Sequence, residues 1–72
     1  IAEGAELPEH SHSQEQITTI LSGEFEMVID GQSHQMVEGS VAVIPSNTVH
    51  KGRALTSCRA FDVWSPVRDD YQ

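Results

Sequence analysis

Apolar and polar positions alternate along much of this chain. Glu24-Phe25-Glu26-Met27-Val28-Ile29 sets Phe25, Met27 and Ile29 on one face and Glu24 and Glu26 on the other, the period of two expected of a half-buried strand. Asp30-Gly31 follows, a strong hairpin signal. A two-residue turn there pairs Ile29 with Gln32, Met27 with His34 and Phe25 with Met36. His34 thereby joins the apolar face and reads as an inward, hydrogen-bonded histidine rather than a ligand. Upstream, Gln16 to Ser22 is rich in β-branched residues and stops at Gly23, which predicts another strand. Downstream, Glu38-Gly39 makes a turn, and the continuous apolar run Val41-Ala42-Val43-Ile44 predicts a strand buried on both sides. Pro45 ends it, because proline cannot donate to a ladder. Ser46-Asn47 is a turn in which Asn47 can take a left-handed conformation. Val49-His50 starts an extended piece broken by Gly52, and Cys58 to Trp64 forms the last strand. Cys58, Ala60, Asp62 and Trp64 share one of its faces, with Arg59, Phe61 and Val63 on the other. No helical stripe outlasts one turn, and turn residues recur at roughly the 8–12-residue spacing of an all-β sandwich or barrel. The polar tail, residues 67–72, is expected to lie over the surface or across a barrel mouth.

Composition bounds what this scaffold can do. With 72 residues, the chain makes one small domain over residues 1–72, and a domain of that size buries only about 60% of the surface its unfolded form exposes. A metal ion or a second subunit would widen so thin a margin. Cys58 is alone, so no intrachain disulfide can form, which points to a reducing, cytoplasmic setting. No apolar run approaches the roughly 20 residues of a membrane span, so no membrane partner is expected. The formal charge is -7, and every Lys and Arg falls after His50: Lys51, Arg53, Arg59 and Arg68. An acidic chain repels phosphate backbones, which argues against nucleic acid as a partner.

The candidate chemistry gathers in Pro8-Glu9-His10-Ser11-His12-Ser13-Gln14-Glu15-Gln16, together with the distant His50. On one extended strand His10 and His12 face the same way, about 6–7 Å apart at Cα, close enough for two imidazoles to converge on one ion. Gln16 has the same parity, but four residues of straight strand span about 13 Å, too far for a shared metal. The chain must therefore turn back between Ser13 and Glu15, and His50 would join from a third strand. Taken alone, two neighbouring histidines on a polar segment are more often simply a pair of exposed side chains than ligands.

The spacing of the glycines and of the second segment adds weight. Gly4, His10-Ser11-His12, Gln16 and Gly23, then Gly39, Pro45-Ser46-Asn47 and His50, resemble the two signature motifs of the cupins, a double-stranded β-helix or jelly-roll family, and the resemblance covers nearly the whole chain. It implies an all-β barrel holding one divalent metal ion on His10, His12, Gln16 and His50. Three positions depart from the family's usual pattern: Gln16 where Glu is common, Asn47 where Gly is common and Ala54 where Asn is common. Asn47 is a mild change, since Asn also tolerates a positive φ. Gln16 is the informative one. A first shell of three neutral imidazoles and an amide leaves a divalent ion its full charge, which makes it a stronger Lewis acid and a better host for an anionic oxygen ligand. Imidazole-rich ligation suits Zn, Ni, Fe(II), Co and Mn alike.

More of the chain is similar to one subgroup, the pectin-degradation (KdgF-type) cupins, which ketonise unsaturated monouronates. His10-Ser11-His12 with Glu15-Gln16, Ile44-Pro45-Ser46-Asn47 before His50, and Asp62-Val63-Trp64-Ser65-Pro66-Val67-Arg68 carry that similarity. It implies that Asp62 is a catalytic acid or base, that Trp64 is an active-site aromatic where Phe is also usual, and that Arg68 contacts substrate. The expected activity is conversion of 4,5-unsaturated monouronates, from pectin or alginate, to linear 5-keto-4-deoxyuronate, with a small anionic sugar as substrate. Two other classes compete: a non-catalytic cupin that binds or senses a sugar acid, and a different cupin enzyme such as a dioxygenase or a lyase. Ile1 lies so close to the first motif that the chain is expected to lack some N-terminal jelly-roll strands. The sheet edges this would expose favour a homodimer.

Overall fold

The computed structural model describes residues 1–65. All regular structure among them is extended: β1 (Glu6–His10), β2 (Glu15–Ser22), β3 (Phe25–Ile29), β4 (Gln32–Met36), β5 (Val41–Ile44), β6 (His50–Ala54) and β7 (Arg59–Ser65). Every pairing is antiparallel. The strands form two sheets, one ordered β1-β6-β3-β4 and the other β5-β2-β7. The core lies between them, with Phe25, Met27, Met36 and Ala54 from the first sheet meeting Ile20 and Ile44 from the second and Cys58 from the loop before β7.

The hairpin between β3 and β4 has the register its sequence predicts, with Phe25 opposite Met36, Met27 opposite His34 and Ile29 opposite Gln32. Asp30 and Gly31 take φ values of 50° and 78°, as a two-residue turn with both central residues left-handed requires. Asn47 likewise adopts φ 60°.

Three expectations are corrected. His34 is exposed rather than inward, because β4 is the outermost strand of its sheet and a groove separates it from β5, the outer strand of the other. Val41 and Val43 are 60% and 54% exposed while Ile44 is fully buried, so β5 is covered on one face only, again as an edge strand. Gly52 does not break the extended piece after His50. It lies inside β6, where a Cβ would overlap the edge of the Phe25 ring. Glycine there makes room for an aromatic side chain, the close approach that glycine in a strand interior often marks.

The outward face of the second sheet is apolar and open: Val41, Val43, Phe61 and Val63 are all at least 47% exposed. Its inward face carries Gln16, Thr18 and Ile20, all buried. This polar-to-apolar run along β2 sets the functional site at one end of the sandwich and the core at the other.

Replacing Gly52 with Ala should lower stability by about 1–3 kcal/mol, the usual cost of overfilling a packed core, and thermal denaturation should show a melting temperature several degrees lower. An unchanged melting temperature would mean that Phe25 is free to move aside.

Candidate metal centre

His10 closes β1, and its Cα partner across the sheet is His50, the first residue of β6. This pairing brings two residues forty positions apart in the chain into ring contact, with centroids 4.2 Å apart. His12 lies past the end of β1, not on the same strand as His10 as the sequence pattern suggested. The chain bends through Ser13 and Gln14 before β2 begins at Glu15, and the bend turns the His12 ring to 4.9 Å from that of His50 and 5.6 Å from that of His10. One ring nitrogen from each of the three lies within 4.8 Å of the others.

Each imidazole is oriented by a backbone carbonyl two residues away. His10 Nδ1 donates to Pro8 O at 2.7 Å, His12 Nδ1 to Gln14 O at 2.8 Å and His50 Nδ1 to Thr48 O at 2.9 Å. A carbonyl only accepts, so Nδ1 carries the proton in every case and a neutral ring presents a bare Nε2 lone pair. The His50 Nε2 is buried without a hydrogen-bond partner, in a residue only 2% exposed. A buried polar atom left unpaired costs about 1–3 kcal/mol. A cation at Nε2 would remove that cost.

Gln16 stands beside the three histidines. It is buried, opposite Trp64 on β7 and Ile44 on β5. Its Oε1 stands 3.1 Å from His12 Nε2. Its Nε2 donates to Thr18 Oγ1 at 2.8 Å and to Asp62 Oδ1 at 3.3 Å, so the oxygen is the end turned toward the histidines. With His12 protonated on Nδ1, two acceptors face each other, an arrangement that a metal ion shared by both would make favourable. Three imidazole nitrogens and an amide oxygen of this kind fit a divalent ion.

Around these donors, Trp64 stands edge-on to His12 with ring centroids 4.8 Å apart and is half exposed. Asp62 pairs with Thr18 across β2 and β7 and accepts a 2.7 Å hydrogen bond from the Thr18 hydroxyl. Both of its hydrogen bonds to described residues fall on Oδ1. Asp62 also lines a small inter-sheet cavity with Gln16, Thr18 and Met27. Arg68 lies outside the described residues. Thr18, read from the sequence only as a strand former, is the residue that joins Gln16 to Asp62. Its signal was its place two residues after Gln16, on the same face of β2.

Burial lowers the pKa of His50 from the ordinary 6.5; the hydrogen bond to Thr48 opposes that shift and the neighbouring His10 and His12 charges add to it. Below 6.5 the unfolded chain therefore binds a proton at this position more readily than the folded chain, and stability decreases as the pH is lowered.

Comparisons with known proteins agree with this fold. Residues 1–64 match the family described as a cupin domain. Among solved structures, KdgF from Halomonas sp. is 31% identical with a TM-score of 0.88, covering 100% of this chain and 67% of that one. An RmlC-like cupin from Shewanella frigidimarina is 28% identical with a TM-score of 0.88, over 100% of this chain and 65% of that one. A conserved Streptococcus pyogenes protein of unknown function is 28% identical with a TM-score of 0.89, over 93% and 59%. The chain thus spans about two thirds or less of the length of these structures. No curated protein matches the sequence significantly.

Two outcomes follow for the isolated protein. Calorimetry should detect one divalent ion bound per chain, with His50→Ala and His12→Ala each sharply weakening it. In metal-free protein, chemical denaturation at a series of pH values should show stability that is full above 6.5 and lost as pH falls through the lowered His50 pKa, with a slope of at most about 1.4 kcal/mol per pH unit for this one proton. His50→Gln should flatten that decline.

Proposed function

The chain belongs to the cupin domain family, and from that premise we propose that it serves a metal-dependent isomerisation of 4,5-unsaturated monouronates to linear 5-keto-4-deoxyuronate. The observation that carries this reading is the neutral donor at position 16. Gln16 offers its amide oxygen toward the histidines while its nitrogen rests on Asp62, so an uncharged ligand set adjoins a carboxylate able to move protons. The 31% identity to Halomonas KdgF over the whole chain supports the same choice among cupin chemistries.

His10, His12, His50 and Gln16 would hold the metal ion. When bound, it supplies Lewis-acid polarisation of a carboxylate or hydroxyl oxygen of the sugar. The reaction is an isomerisation that needs only proton transfers. The anomeric hydroxyl loses its proton, the bond from the anomeric carbon to the ring oxygen breaks to give an aldehyde and an enol, and the enol carbon C4 takes a proton to leave the ketone. Asp62 is the group assigned to these transfers, as acceptor and then donor. Because Oδ1 is engaged by Thr18 and Gln16, Oδ2 is the oxygen left for substrate. Trp64 forms a wall beside His12, positioned to pack against a sugar ring. Arg68 would pair with the uronate carboxylate, for which the guanidinium fork is suited.

The product has lost the conjugated double bond of the substrate. Metal-loaded protein should therefore speed the decay of ultraviolet absorbance of unsaturated galacturonate, and Asp62→Ala should slow it by about 10²-fold or more. An unaccelerated decay together with ligand-dependent thermal stabilisation would replace this reading with a binding or sensing role.

A further inference from the structure

The metal centre described above leaves one question of local chemistry: what keeps the amide of Gln16 the right way round. An amide has similar shapes at its two ends, and only its hydrogen bonds decide which end faces the site. We propose that Thr18 is the positioning residue of this centre, a hydroxyl that couples Asp62 to Gln16 and holds the amide oxygen toward His12.

The argument rests on a closed ring of three hydrogen bonds. The Thr18 hydroxyl has one proton, and it donates that proton to Asp62 Oδ1 at 2.7 Å. Its oxygen is thereby committed as an acceptor toward Gln16, whose Nε2 donates to it at 2.8 Å. The same Nε2 donates to Asp62 Oδ1 at 3.3 Å. Rotating the amide by half a turn would set Oε1 against a hydroxyl with no proton to spare and against a carboxylate, and would turn the NH₂ group toward the histidines. Thr18 is 4% exposed and Gln16 is 6% exposed, so water is poorly placed to replace the bonds lost at Thr18, and the turned amide would offer N–H groups in place of an oxygen lone pair to an ion at the histidines.

The strands supply this ring directly. Gln16 and Thr18 are two apart on β2 and share its inward face, and Thr18 lies opposite Asp62 on β7. The arrangement also accounts for an amide, rather than a carboxylate, at position 16. Asp62 already presents an acceptor to that side chain, and a glutamate there would oppose one carboxylate to another at close range. Residues 16 and 62 therefore form a matched pair, a donor for an acceptor, with Thr18 between them.

This inference rests on the metal-binding part of the proposed function and is independent of the sugar chemistry. The test titrates metal-free protein with Co²⁺, following calorimetric affinity and the visible absorption of the bound ion. Thr18→Val keeps the shape and the strand preference but removes the hydroxyl; it should weaken Co²⁺ binding about 10-fold or more and alter the visible spectrum. Thr18→Ser, which restores the hydroxyl, should recover both. Wild-type affinity and spectrum in Thr18→Val would overturn the proposal, as would failure of the wild-type protein to bind Co²⁺. Should Thr18→Val fail to fold, the exposed side of the ring, Asp62, decides the matter. Asp62→Asn should weaken Co²⁺ binding beside Gln16 but strengthen it in a Gln16→Glu background, where it relieves the opposed carboxylates. An equal effect in both backgrounds would overturn the proposal. A protein whose Co²⁺ binding depends on the Thr18 hydroxyl but which leaves unsaturated galacturonate unchanged loses the proposed activity alone.

Discussion

The register of β2 between its two neighbours is the constraint on which the rest depends. Side chains alternate along a strand, so pairing Thr18 with Asp62 on one side and with Ala42 on the other turns Gln16, Thr18 and Ile20 inward together. A slip of one residue would turn Ile17, Thr19 and Leu21 inward instead, taking Gln16 away from the histidines and breaking the hydrogen-bond ring in one step. The same strand thus serves two ends of the sandwich, with Ile20 in the core and Gln16 at the histidines. Stability and chemistry share a single pairing.

Much of this fold is legible in the chain because its signals are local. The Asp30-Gly31 turn and the alternation around it define a hairpin and its register without reference to the rest of the molecule, and Asn47 declares its left-handed turn by residue type. Errors arise where a residue's surroundings depend on strand order. His34 shares a face with Met27 by parity, yet β4 is an edge, so the face it shares has no cover there. Val41 and Val43 are as apolar as any buried pair, but β5 is also an edge. β1 is exposed along its whole length and has no alternation to reveal it. Gly52 reads as a breaker because glycine usually is one. Its actual reason is the Phe25 ring on the neighbouring strand, a contact between positions far apart in sequence.

At the site, residue types with few common uses stand out and versatile ones do not. Two histidines one residue apart, a third after a proline turn, and an aspartate in an apolar strand each invite a chemical reading, and the structure brings the three histidines to one end of the molecule. The path differs from simple strand parity, since His12 reaches the cluster by a bend beyond β1. Thr18 does not stand out, because a threonine in a strand already has a sufficient explanation in its β-branched shape. Only the cross-strand pairing shows that its hydroxyl has two partners and no freedom.

The carbonyl contacts of the three imidazoles have a thermodynamic consequence. Every one of these anchors lies within two residues of its histidine in the chain, so ring orientation is settled when each short segment folds. A side chain that must be immobilised on binding subtracts about 0.5–1.5 kcal/mol from affinity. Here that rotational freedom is already lost in the folded protein. An arriving ion would therefore meet an ordered set of lone pairs, and its release would leave those lone pairs crowded rather than relaxed. Retention of an ion held there would be favoured from both directions, by the small ordering cost of capture and by the unfavourable state left behind.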